Sequence, residues 1–105
     1  DMVGDADLRI PMEANSLQVA PELTRLVFAV AESLGVDAFV DEVGPAVYDD
    51  HVPFLQARIP AVDLIDFDYP PWHTTRDLPA ECSPASLESV ARVVLHVLQR
   101  LGRSP

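Results

Sequence analysis

The chain has 105 residues, 49% of them hydrophobic, with 17 acidic against 7 basic side chains and a formal net charge of −10. That length builds one small domain, expected over 1–105, and the charge lacks the basic footprint that displaces counterions from nucleic acid, so no nucleic-acid partner is expected. No apolar run approaches the roughly 18–20 residues of a membrane span, so no membrane crossing is expected either.

All seven basic residues are arginine. The absence of lysine excludes a lysine-dependent phosphate loop and Schiff-base chemistry. The single cysteine, Cys82, has no internal disulfide partner.

In chain order, Met2 and Val3 read as the tail of a buried strand, followed by an irregular loop to Asn15. Pro21 suits the first position of a helix and Glu22 its first turn. Leu23, Leu26, Val27, Val30, Ala31 and Leu34 recur at helical spacing, and Gly35 supplies a stop, so a helix is expected over 20–34. Ala38 to Val43 reads as a short strand ended by Gly44 and Pro45. Val52 to Ala57 reads as a short helix with Pro53 in its first turn. Ala61 to Phe67, with Val62, Leu64, Ile65 and Phe67, carries the strongest strand pattern. After a proline-rich loop to Pro79, Ser83 is placed to cap a helix with Pro84 at its first position. Its expected core stripe is Leu87, Val90, Ala91, Val94, Leu95, Leu98 and Leu101, and His96 within it reads as structural.

Alternating strands and helices favour an α/β sheet with helices packed on its faces. Ligands of such sheets bind beyond the carboxyl ends of the strands. That rule selects Asp1, the Asp49–His51 loop and the Asp66–Asp77 loop. Asp49 and Asp50 ahead of a helix have two readings. They form an acidic turn at a helix start, or a pair of carboxylates whose mutual repulsion raises the proton affinity of one of them. His73 sits in a loop restrained by Pro70 and Pro71 and offers an imidazole suited to zinc; alone it reads equally as a solvated loop residue. Trp72 beside it either walls a pocket or covers the edge of the core. No Gly-x-Ser-x-Gly elbow, glycine-rich phosphate cradle or His-Glu-x-x-His helix occurs.

Asp1-Met2-Val3-Gly4, Asp49-Asp50-His51-Val52-Pro53-Phe54-Leu55, Ile59-Pro60-Ala61-Val62-Asp63-Leu64 and Trp72-His73-Thr74 follow one another in an order that resembles zinc aminopeptidases and glutaminyl-peptide cyclotransferases. The resemblance runs from Asp1 to about Leu101. It implies a zinc exopeptidase-like α/β sandwich, with a mixed, mostly parallel sheet flanked by helices, of which this chain is the C-terminal portion. It also implies a zinc cofactor, one or two ions in the complete enzyme, whose other ligands and catalytic glutamate come from His-x-Asp and Glu-Glu motifs that this sequence lacks.

His73 matches the family's last zinc-ligand histidine. Asp1 matches a ligand of the second zinc in two-metal aminopeptidases and a proton-network residue in one-metal cyclases. Asp49 matches an acid of that same network, and Trp72 a substrate-pocket tryptophan. Arg76 departs from the pattern close to His73. The resemblance implies a peptide N-terminus as substrate, acted on by aminopeptidase-type hydrolysis or by cyclisation of an N-terminal glutamine. For the isolated chain a third reading is a non-catalytic piece that associates with its own copies through an exposed sheet edge.

Overall fold

A computed structural model describes residues 1–103. Its elements are β1 (Ile10–Met12), α1 (Ala14–Val19), α2 (Pro21–Ser33), β2 (Phe39–Val43), α3 (His51–Gln56), a 3-10 turn at Pro79–Glu81 and α4 (Pro84–Gly102). β1 and β2 pair in parallel, with Ile10 opposite Phe39 and Met12 opposite Val43. Parallel neighbours need a long crossover, and here α1 and α2 supply it.

The α1–α2 break follows from Pro21. The residue before a proline is pushed out of the helical region, and Ala20 stands at φ −126°, ψ 60°. Its carbonyl still accepts both the amide of Thr24, at 3.0 Å, and the Thr24 hydroxyl, at 2.8 Å. Gly35, at φ +69°, takes the left-handed turn that ends α2, as its position suggested. Gly44 is needed for space: a Cβ there would lie 2.6 Å from Pro11 Cγ.

The core joins Ile10 and Phe39 from the sheet, Val27, Val30 and Ala31 from α2, Val36 from the turn after it, and Val93 and Val97 from α4. Phe28 meets Phe39 edge-on at 5.4 Å between ring centroids.

Several expectations need correction. The first fifteen residues are not a strand tail and a loop. They hold β1 and the start of α1, while Met2 adopts φ 53°. Glu13 explains α1: at the N-cap its carboxylate accepts the amides of Asn15 and Ser16, both at 2.8 Å. Residues 61–67 join no ladder among the described residues. Side chains and the N-terminus hold that segment instead. The Asp63 amide donates to Ser16 Oγ, Asp1 N donates to the Leu64 carbonyl, and Asp66 Oδ2 accepts the Arg9 amide.

α4 turns inward a face that shares only Val90 with the expected stripe. Ser86, Val93 and Val97 are buried, whereas Leu87, Leu95, Leu98 and Leu101 are exposed. The helix is apolar around much of its girth, so periodicity alone could not select the face. Ser83 stands at the N-cap, but its side chain makes no capping bond. Its amide donates to the Gly4 carbonyl at 2.7 Å. His96 is exposed and bonded at Nδ1 to the Arg92 carbonyl.

Candidate active site

Asp1, Asp49, Asp50, His51, Phe54, Ala61, Val62 and Asp63 line one cleft of about 530 Å³. Two of the candidate acids, Asp1 and Asp49, therefore face a common space. Asp1 also borders a smaller cavity of about 170 Å³, together with Asp5, Tyr69, Asp77 and Cys82. Asp49 sits ahead of α3. Its carbonyl accepts the Val52 amide and its side chain accepts the Asp50 amide.

A buried polar cluster reaches the cleft wall through His51 and Asp63, with Glu13 packed against His51. Glu13, His51 and Asp63 are 2%, 6% and 7% exposed. His51 Nε2 lies 2.7 Å from Glu13 Oε1, and His51 Nδ1 lies 3.5 Å from Asp63 Oδ2. Burial pushes the Glu13 carboxyl up. Donated hydrogen bonds from the amides of Val47, Asn15 and Ser16 and from the Ser16 hydroxyl outweigh it and hold the group below its ordinary value. Asp63 goes the other way. Burial, then repulsion from Asp49, raises it to about 6, against an opposing pull from His51. Asp5 is likewise raised to about 6, by burial and then by a hydrogen bond to, and repulsion from, Asp66.

Trp72 and His73 lie on the loop after residues 61–67 and are not among the residues that line the cleft. A run of turns shapes that loop. Trp72 N donates to the Tyr69 carbonyl, Thr74 N and Oγ1 donate to the Pro71 carbonyl, and Tyr69 Oη donates to Asp77. His73 is exposed at φ 55°, a left-handed conformation that costs a non-glycine residue on the order of 1 kcal/mol. Trp72 lies between Phe67 and His73, with ring centroids at 4.8 Å and 4.1 Å. Met2, next to Asp1, shares the left-handed conformation. Both candidate zinc donors thus sit at or beside a strained residue.

Their chemistry suits zinc, an imidazole and a carboxylate. Yet among the described residues no group of three or more His, Cys, Asp or Glu side chains is arranged to hold a metal ion. The chain offers part of a donor set, and that part does not make a site by itself.

Sequence reading passed over Glu13 and Asp5, and it named Asp63 and Asp66 without pairing either with a partner. Glu13 carried a signal, an acid three residues ahead of Ser16 at a helix start. Asp63 and Asp66 lie inside an apolar run that reads as a strand, which masks what their carboxyls meet.

The chain and its α/β arrangement match known enzymes. The model of Peptidase family M28 matches residues 1–98, and the chain belongs to that family. The chain superposes on the crystal structure of Fimbriiglobus ruber glutaminyl cyclase with a TM-score of 0.91 and 39% identity, over 94% of this chain and 34% of that one. It superposes on a Zn-dependent exopeptidase from Parabacteroides distasonis with a TM-score of 0.88 and 30% identity, over 92% of this chain and 36% of that one. A glutaminyl-peptide cyclotransferase-like protein of Mus musculus is 38% identical over 52 residues, which is 49% of this chain and 13% of that protein. The chain therefore spans about a third of the solved structures and a smaller share of the mouse protein. The family and the α/β fold are those of zinc-dependent peptidases and glutaminyl cyclases, both of them enzymes.

Proposed function

We propose that the cleft bearing Asp1, Asp49 and Asp63 is part of the active site of a glutaminyl cyclase-type enzyme, which closes the N-terminal glutamine of a peptide into a ring and releases ammonia. The observation that carries this reading is the convergence of the three acids on one cleft. The likeness to a glutaminyl cyclase supports it.

In that reaction the substrate's α-amine forms a bond to its own side-chain amide carbon, and the bond to the amide nitrogen breaks. The amine loses a proton and the leaving nitrogen gains one. A carboxyl that titrates at about 6, as Asp63 does, can accept and return a proton near neutral pH. Asp49 and Asp1 extend the acidic wall toward solvent and suit a cationic amine on arrival. Trp72 would wall the side-chain pocket. His73, and Asp1 in a two-metal form, are the residues of this chain that would hold zinc, as part of a larger set. When bound, the metal polarises a carbonyl as a Lewis acid.

The test is ammonia release from peptides with N-terminal glutamine, measured on the protein at its full natural length. Asp49→Asn is expected to lower kcat at least tenfold, and zinc content should be about one ion per chain. The exopeptidase reading rests on the likeness to the Parabacteroides protein. Release of a free N-terminal amino acid without ammonia, with about two zinc ions, would establish it instead.

The isolated 105-residue chain is proposed to be inactive, because its donor set is partial. Each strand of the β1–β2 pair has one ladder neighbour among the described residues, which leaves an edge for a second copy. Light scattering of the purified chain would decide this, with a strictly monomeric mass counting against it.

A further inference from the structure

Glu13, His51 and Asp63 come from three separate places in the chain: the residue ahead of α1, the first turn of α3, and the segment after it. Burying ionisable groups is costly unless hydrogen bonds and opposite charges compensate. Glu13 is compensated independently of the histidine. Its Oε1 accepts the Ser16 amide and hydroxyl, and its Oε2 accepts the amides of Asn15 and Val47. It is a fixed point.

His51 faces that fixed point with Nε2 and faces Asp63 Oδ2 with Nδ1. Asp63 Oδ2 and both ring nitrogens of His51 are buried and make no hydrogen bond, so close packing and charge hold the three groups together. A flat, buried ring packed against Glu13 at one nitrogen dictates the direction from which the other meets its neighbour. The titratable side chains that face Asp63 are Asp49, His51 and Glu13, and the nitrogen of Asp1 lies nearby. Of these, His51 is the side chain that reaches its oxygen from the interior.

We propose that His51 is a positioning residue, braced by Glu13, that fixes the orientation of the Asp63 carboxyl on the wall of the cleft shared with Asp1 and Asp49. This rests on reading the cleft as the site of N-terminal peptide chemistry. It goes further by assigning work to His51 and Glu13, to which that reading gives no part in the proton transfers.

The experiment compares wild type, His51→Phe and His51→Gln in the protein at its full natural length. Phenylalanine keeps the ring and removes both nitrogens; glutamine keeps one polar contact. Positioning predicts a fall in kcat of about tenfold or more for His51→Phe, with KM within about twofold. The acid limb of the kcat/KM profile should shift by about half a unit or more, and His51→Gln should recover part of both effects.

A second measurement needs no turnover. The Asp63 carboxyl ¹³C resonance of the 105-residue chain is followed through a pH titration in wild type and in His51→Gln. An altered shift and titration midpoint support the brace. Unchanged Asp63 titration in His51→Gln overturns the proposal, even if that variant is less stable, because a merely structural histidine would cost stability alone. If wild type releases no ammonia and cleaves no N-terminal residue, the functional reading fails, and the carboxyl titration still decides the brace.

Discussion

Nε2 of His51 lies 2.7 Å from Oε1 of Glu13, and the two side chains are 4% and 1% exposed. Neither meets bulk water, so the contact is built into the fold.

The first prediction concerns that contact. Glu13→Ala removes the N-cap of α1, the acceptor of the Val47 amide and the partner of His51 together. A lost cap costs about 1 kcal/mol, and each further buried donor left without its acceptor costs about 1–3 kcal/mol. The variant is expected to lose at least about 3 kcal/mol in urea unfolding. A loss under about 1 kcal/mol would mean that water replaces the carboxylate and that the cluster is looser than described.

The second prediction concerns which side of α4 faces the core. Val93 is fully buried and Leu98 is 61% exposed. Val93→Ala should cost about 2 kcal/mol through lost burial and a residual cavity, whereas Leu98→Ala should stay within about 0.5 kcal/mol. Reversed values from thermal or urea unfolding would mean that the helix is rotated and that the stripe suggested by periodicity is the buried one.

That ambiguity shows what the sequence could and could not disclose. α2 was legible because one apolar face, a proline start and a glycine stop agreed. α4 was legible as a helix but not in its orientation, since apolar residues fall on two of its faces. Residues 61–67 looked like a strand because branched apolar residues mark burial as much as pairing. Here they are anchored by the Ser16 hydroxyl, the Asp66 side chain and the amino group of Asp1. In the candidate site, Asp1 and Asp49 stand out in the sequence because motif order marks them. Glu13, His51 and Asp63 were not grouped, because 38 and 12 residues separate their positions in the sequence.

The third prediction is steric. Gly44 follows β2 with an ordinary backbone, but a Cβ would meet Pro11 Cγ at 2.6 Å on the paired strand. Proline is rigid and cannot swing aside, so Gly44→Ala should cost about 1–3 kcal/mol. Gly102→Ala meets nothing within 4 Å and serves as the control, with a change near zero or slightly stabilising. Equal stability of the two variants in calorimetry would mean that the β1–β2 pair yields at this point.

The last prediction is a pH dependence with a definite sign. Asp5 is raised from its ordinary 3.8 to about 6, by burial and by its pairing with Asp66. The folded chain therefore holds this proton more tightly than the unfolded chain. The resulting stabilisation is fully present below 3.8 and is lost as pH rises through about 6. Asp63, raised to about 6, acts in the same direction. Glu13 opposes them: its carboxyl is lowered, so its contribution is present above its ordinary 4.5 and is lost as pH falls through the folded value. The chain should be more stable at pH 5 than at pH 8, by roughly 1–3 kcal/mol. Lowering the pH also relieves the repulsion of a net charge of −10, so charge must be separated from pairing. Asp5→Asn supplies a permanently neutral group beside Asp66, while Asp41→Asn removes the same charge from an exposed position. The Asp5 variant should flatten the difference between pH 5 and pH 8, and the Asp41 variant should leave most of it. If both variants flatten it equally, overall charge rather than the Asp5–Asp66 pair sets the pH dependence.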